Sequence, residues 1–97
     1  MKQYLITGYD FTDPEALNRR MKARPDHLAK GAEMRKSGNY LFGGAILSDE
    51  SVMIGSVMVL QFETEEELDT WKLEEPYIIQ GVWESVDIKP FKAAVVN

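Results

Sequence analysis

Within residues 2–9, Tyr4, Leu5, Ile6 and Tyr9 gather the β-branched and aromatic types that suit a pleated surface, and Asp10 then opens a polar turn. This predicts a first strand. Asp13-Pro14-Glu15 has the form of a helix start, with aspartate at the cap, proline at the first helical position and glutamate in the first turn. The pattern predicts a short helix ending near Lys22. Pro25 lacks an amide donor and its ring clashes with the preceding turn, so a break is expected there, followed by a second helix over 25–37 that Gly38-Asn39 stops. Leu28, Ala32 and Arg35, with Met34 beside them, are its expected inner stripe. Gly31 interrupts that stripe at a cost of about 1 kcal/mol against alanine, unless it admits a close neighbour.

Two apolar runs, 40–47 and 52–62, flank the polar link Ser48-Asp49-Glu50-Ser51 and are expected to pair antiparallel. The second barely alternates, so both of its faces favour leaving water. Helices can cover one face, and the sheet of a second subunit is the expected cover for the other. Thr64-Glu65-Glu66-Glu67 reads as a capping box opening a helix that buries Leu68 and Trp71 and ends at Glu74-Glu75-Pro76. A last strand is expected over 82–91. The order strand, helix pair, strand, strand, helix, strand predicts an α+β, ferredoxin-like split βαβ fold: a four-stranded antiparallel sheet with helices on one face.

Ninety-seven residues suffice for one domain, 1–97, with a core of its own. The chain has no cysteine, which excludes thiol catalysis, disulfides and Cys-based metal sites; no metal site is expected. Neither a signal-peptide core nor a membrane-spanning run is present in the sequence, so a cytoplasmic protein with no membrane partner is expected. A net charge of −5 repels phosphate backbones. Arg19, Arg20, Lys22 and Arg24 are too dispersed around a helix to track one groove and read as a solvated helix end. An RNA-recognition reading of the same element order fails as well, because the run from Val52 has neither basic nor aromatic residues before Phe62. No nucleic-acid partner is expected.

His27, the one histidine, is the side chain whose ordinary pKa lies nearest neutrality, and thus the first candidate for proton transfer. Placed in the first turn of a helix opened by Pro25, it would meet a dipole that disfavours imidazolium, while a nearby carboxylate would favour it. The same position equally suits a partly buried histidine bonding a backbone carbonyl. Glu75 precedes a proline that fixes its backbone, and Tyr77 adds a phenol two residues on. This trio fits an orienting carboxylate beside a substrate-facing hydroxyl, or a plain helix terminator with a core tyrosine. Arg24 is placed to hold an anionic group or to form a surface ion pair. Gly43-Gly44 and Gly55-Ser56 put glycines in strands, where something approaches the backbone closely.

Taken in order, Arg24-Pro25-x-His27-Leu28-Ala29, Gly38, Gly43-Gly44, Gly55-Ser56, Glu75-Pro76-Tyr77 and Val86-x-Ile88-x-Pro90-Phe91 resemble the YciI-like (YCII-related) family over essentially the whole chain. The resemblance implies a dimeric α/β barrel of two ferredoxin-like subunits packed sheet to sheet, acting without a bound cofactor through a histidine–aspartate pair. His27 matches the histidine. The family's usual Asp-Pro-Tyr reads Glu75-Pro76-Tyr77 here, which keeps the charge and moves the carboxylate one methylene further out. The better-understood members resemble dehydrochlorinases or isomerases of cyclic aromatic breakdown products. The expected function is therefore a cofactor-independent lyase or isomerase of a small cyclic or enol-like substrate, with His27 and Glu75 catalytic and Arg24, Ser56 and Tyr77 binding substrate. The alternative is a small-ligand or haem-binding barrel in which no reaction occurs.

Overall fold

Along β1 (Lys2–Asp10), Tyr4, Ile6, Gly8 and Asp10 are buried while the residues between them are more open, so one strand face meets the core. The computed structural model describes residues 1–94. β2 (Tyr40–Leu47), β3 (Met53–Phe62) and β4 (Trp83–Phe91) complete an antiparallel sheet in the order β2-β3-β1-β4. Helices α1 (Ala16–Lys36), α2 (Glu65–Glu74) and α3 (Pro76–Ile79) lie on one face, giving the ferredoxin-like α+β arrangement expected. The core between the layers joins Ile6, Met58, Leu60 and Phe62 of the sheet to Ala23, Met34, Leu68, Trp71 and Tyr77 of the helices. No helix among the described residues is long and apolar enough to cross a membrane.

The expected break at Pro25 does not occur. One 21-residue helix runs through it. Proline removes a single hydrogen bond, the one that Met21's carbonyl would have accepted, and both Pro25 and Met21 are exposed, so water can replace it. His27 consequently sits in a helix interior, away from the positive end, and the dipole argument for its charge lapses. The expected inner stripe is also corrected. Leu28 is 50% exposed and Ala32 and Arg35 face solvent, whereas Ala16, Arg20, Ala23 and Met34 are buried. With His27, those residues follow the four-three-four spacing of one helix face. The inner stripe is thus partly charged because it faces the site.

Asp13 opens a turn rather than the helix, which starts at Ala16; its carboxylate accepts the Glu15 amide at 3.1 Å and both terminal nitrogens of Arg19. At α2 the Thr64 hydroxyl accepts the Glu67 amide at 3.3 Å, the threonine half of the expected capping box. Val82, just outside β4, is buried and ties two elements together: its amide donates to the Tyr77 carbonyl and its own carbonyl accepts the Phe11 amide. Gly8 is required by close packing. A Cβ there would lie 2.5 Å from Cε2 of Trp83, whose indole covers the strand at this point.

Candidate functional site

Glu75 is built into place by the backbone around it. As the residue before Pro76 it is extended (φ −64°, ψ 119°), which ends α2, and it then serves as N-cap of α3, with Pro76 in the first turn. Its Oε1 accepts the Tyr77 amide at 3.3 Å and also meets Nδ1 of His27. Glu75 is 1% exposed, and its Oε2 has no hydrogen-bond partner within the protein. Flanking contacts hold this segment against α1: Lys30 Nζ donates to Glu74 at 2.9 Å and Gln80 Nε2 to Asp26 at 3.1 Å. The two residues singled out from the sequence, 48 positions apart, are therefore in direct contact.

The geometry selects a tautomer. A carboxylate oxygen can only accept, so in neutral His27 the proton resides on Nδ1 and the lone pair on Nε2. Tyr77 stacks on the imidazole with centroids 3.8 Å apart and planes 8° from parallel. Trp83 meets both rings edge-on, at 6.3 Å and 5.6 Å. Such packing fixes the imidazole's orientation, which a proton-transfer group requires.

Beside this pair lies a hollow of about 230 Å³, lined by Arg20, Arg24, His27, Tyr40, Ser56 and Tyr77 among others. Its volume is below the ~300–1,000 Å³ of drug-sized sites and suits one small ring. Of the residues expected to bind substrate, Arg24, Ser56 and Tyr77 all line it; Glu75 stands behind His27 instead. Among the described residues Arg24 makes no hydrogen bond or ion pair, so its guanidinium is available to a ligand.

Sequence reasoning missed two charged residues at this site. Arg20, read as part of a solvated helix end, is 2% exposed; it donates to Asp10 Oδ1 and to Ser56 Oγ, each at 2.8 Å. Ser56 also accepts from Trp83 Nε1 at 3.3 Å, so its hydroxyl is occupied in holding the wall together. The Arg20 guanidinium lies 4.8 Å from the centre of the Tyr77 ring. Burial pushes the Asp10 carboxyl above its ordinary 3.8, against the pull of Arg20, and likewise pushes the Tyr77 phenol above 10.0 against Arg20 and Arg24. Tyr77 is thus a neutral hydroxyl near neutral pH. Asp10 balances Arg20, so Arg24 is the cation on the wall with no partner among the described residues, while the Glu75 carboxylate stands behind His27. The one available signal was spacing: Arg20 and His27 are seven residues apart, on one helix face. Among the described residues no group of three His, Cys, Asp or Glu is placed to hold a metal ion.

Comparison with known proteins agrees with this architecture. A profile of the YCII-related domain matches residues 2–92. Protein YciI of Escherichia coli O6:H1 is 33% identical over 95 residues, covering 92% of this chain and 95% of that protein. Fusaric acid biosynthesis protein 2 of Gibberella fujikuroi is 30% identical over 101 residues, covering 96% and 95%. Among solved structures, 5-chloro-2-hydroxyhydroquinone dehydrochlorinase of Burkholderia phenoliruptrix AC1100, in complex with 2,5-dihydroxybenzoquinone, superimposes with a TM-score of 0.79 over 95% of each chain at 22% identity, a likeness of fold.

Proposed function

The chain belongs to the YCII-related domain family, and on that premise we propose that it is a cofactor-independent lyase or isomerase of a small, cyclic or enol-like anion. The observation that carries the reading is the contact of His27 Nδ1 with buried Glu75 at the edge of the hollow. Glu75 holds the imidazole in the tautomer that presents Nε2 as a base and stabilises the imidazolium once Nε2 has taken a proton. The electron pair left on the substrate then expels a leaving group, or the proton returns at another atom. The first outcome is elimination and the second isomerisation. Arg24 supplies the positive charge that draws an anion and steadies an enolate, and Tyr77 offers a neutral hydroxyl to a substrate oxygen.

The chain works as a single domain, in the cytoplasm, on a small molecule and without nucleic acid. Its sheet also pairs with that of a second copy. Leu5, Tyr9, Phe42, Ile46, Val57 and Val59 alternate with the core-facing residues of β1, β2 and β3 and so share the face opposite the helices; Phe42 is 53% exposed there. Sedimentation of the native chain and of Phe42→Lys tests this pairing.

The chemistry is tested with 5-chloro-2-hydroxyhydroquinone and related halogenated or hydroxylated rings, by chloride release and absorbance, and with 2,5-dihydroxybenzoquinone as a binding probe. Turnover that vanishes in His27→Gln while the fold persists supports the reading. Unchanged turnover in that variant removes His27 from the reaction, and saturable binding without turnover of any ring favours the non-catalytic ligand-binding alternative.

A further inference from the structure

Tyr40 begins β2, paired with Leu60, and the register shifts between Tyr40 and Phe42. Its ring lies over Gly31 of α1, with Cε2 3.7 Å from where a Cβ would stand, and the Arg35 guanidinium lies 5.1 Å from the ring centre. From there the side chain runs back along its own strand to Gly43. A Cβ at Gly43 would collide with the Tyr40 hydroxyl and fall 2.7 Å from the Val57 carbonyl oxygen. Residue 43 is opposite Met58, a core-facing residue, so the missing side chain would have pointed toward the helices and into the hollow. Tyr40, Gly43, Met58 and His27 all line that hollow. Glycine at 43 is therefore what leaves the Tyr40 hydroxyl its place there.

The hydroxyl makes no hydrogen bond among the described residues. Burial holds the phenol above its ordinary 10.0, so near neutral pH it is a neutral O–H able to donate. Arg24 lines the α1 side of the hollow, and the Ser56 hydroxyl is engaged by Arg20 and Trp83. A ring bound against His27 thus has an unused donor available on the β2 side.

We propose that Tyr40 and Gly43 form a matched pair that selects the ligand: Gly43 makes room for the phenol, and the Tyr40 hydroxyl donates to an oxygen of a small oxygenated ring anion bound beside His27. This rests on the hollow being the ligand site proposed above. It adds the ligand class that the pair admits, a ring carrying an oxygen on the side facing β2.

Calorimetric titration with 2,5-dihydroxybenzoquinone tests the contact. Tyr40→Phe raises Kd on the order of tenfold, the loss of one hydrogen bond to a charged or polarised oxygen, with the melting midpoint unchanged. Equal Kd values in the native chain and Tyr40→Phe overturn the contact. Absence of saturable binding to the native chain overturns the ligand class and the contact with it. The pairing has its own test, which needs no ligand. Gly43→Ala lowers the melting midpoint by roughly 5–15 °C in the native background and by less in Tyr40→Leu, where the phenol contacts are gone while the Val57 carbonyl oxygen still opposes the methyl. Equal losses in the two backgrounds overturn the pairing. Turnover retained in His27→Gln together with weaker binding by Tyr40→Phe refutes the acid-base reading and leaves the pair standing; the reverse pattern refutes the pair alone.

Discussion

Replacing Arg20 by methionine keeps an apolar stem and removes the guanidinium, which lies 4.8 Å from the centre of the Tyr77 ring. Two 2.8 Å bonds are lost, to Asp10 and to Ser56, and the Asp10 carboxyl stays behind with its side chain 5% exposed. Stranding one partner of a buried pair costs roughly 3–5 kcal/mol. An upper limit comes from titration, because Asp10 can escape its charge by taking a proton. Holding an ordinary aspartate neutral at pH 7 costs about 1.36 kcal/mol for each of roughly three pH units, or about 4 kcal/mol. Asp10 is already raised above 3.8 by burial while Arg20 opposes the rise, so removing Arg20 raises it further. A carboxyl whose folded pKa lies above its unfolded value binds more protons when folded, so stability is retained below the unfolded value and lost as pH rises through the folded one. Urea unfolding of Arg20→Met between pH 4 and pH 7.5 is therefore expected to show a small deficit against the native chain at the acid end, growing to about 3–4 kcal/mol at neutrality. Adding Asp10→Asn to Arg20→Met recovers much of the neutral-pH deficit. A deficit independent of pH, or no recovery in the double variant, would refute the reasoning.

Glu75→Gln keeps a carbonyl oxygen for the Tyr77 amide and for His27 Nδ1, which share one acceptor atom, but removes the negative charge that stabilises the imidazolium; turnover is expected to fall on the order of 10²–10⁴-fold, measured by steady-state kinetics. Gly31→Ala places a methyl at ordinary contact distance, 3.7 Å, from Tyr40 and removes a helix-interior glycine, so denaturant unfolding is expected to show a gain of roughly 0.5–1 kcal/mol. Asp13 is held at about 2, below its ordinary 3.8, first by its hydrogen bonds from Arg19. NMR titration is expected to find that value, with Arg19→Gln bringing it back toward 3.8; because the folded pKa is depressed, the pair's contribution is present above the unfolded value and lost as pH falls toward 2.

The sheet was legible because β-branched and aromatic runs separated by polar links have few alternatives, and Glu75-Pro76-Tyr77 was legible because proline dictates its neighbour's backbone. Pro25 misled for the opposite reason. Its local cost is real, but the contacts of α1 on both sides outweigh one missing hydrogen bond. The inner face of α1 was misread because hydrophobicity usually marks the buried side of a helix. Here Arg20 and His27 occupy that side and Leu28 lies outside, since the helix covers a polar hollow as well as a core. Asp10 and Arg20 are ordinary surface types, and nothing local announces that a strand end and a helix turn will bury them together. Tyr40 was legible as a strand residue. Its reach to Gly43 depends on a register shift that composition does not encode.

The central claim is that buried Glu75 fixes His27 with Nε2 free for proton transfer. With one histidine in the chain, ¹⁵N NMR of imidazole-labelled protein reads this from a single ring. In the neutral form the account predicts a protonated Nδ1 and a lone pair on Nε2, with Glu75→Ala, which removes the acceptor of the Nδ1 proton, shifting the ring toward the Nε2–H tautomer. A native protein whose neutral His27 carries its proton on Nε2, or whose tautomer ignores the change at Glu75, would contradict it.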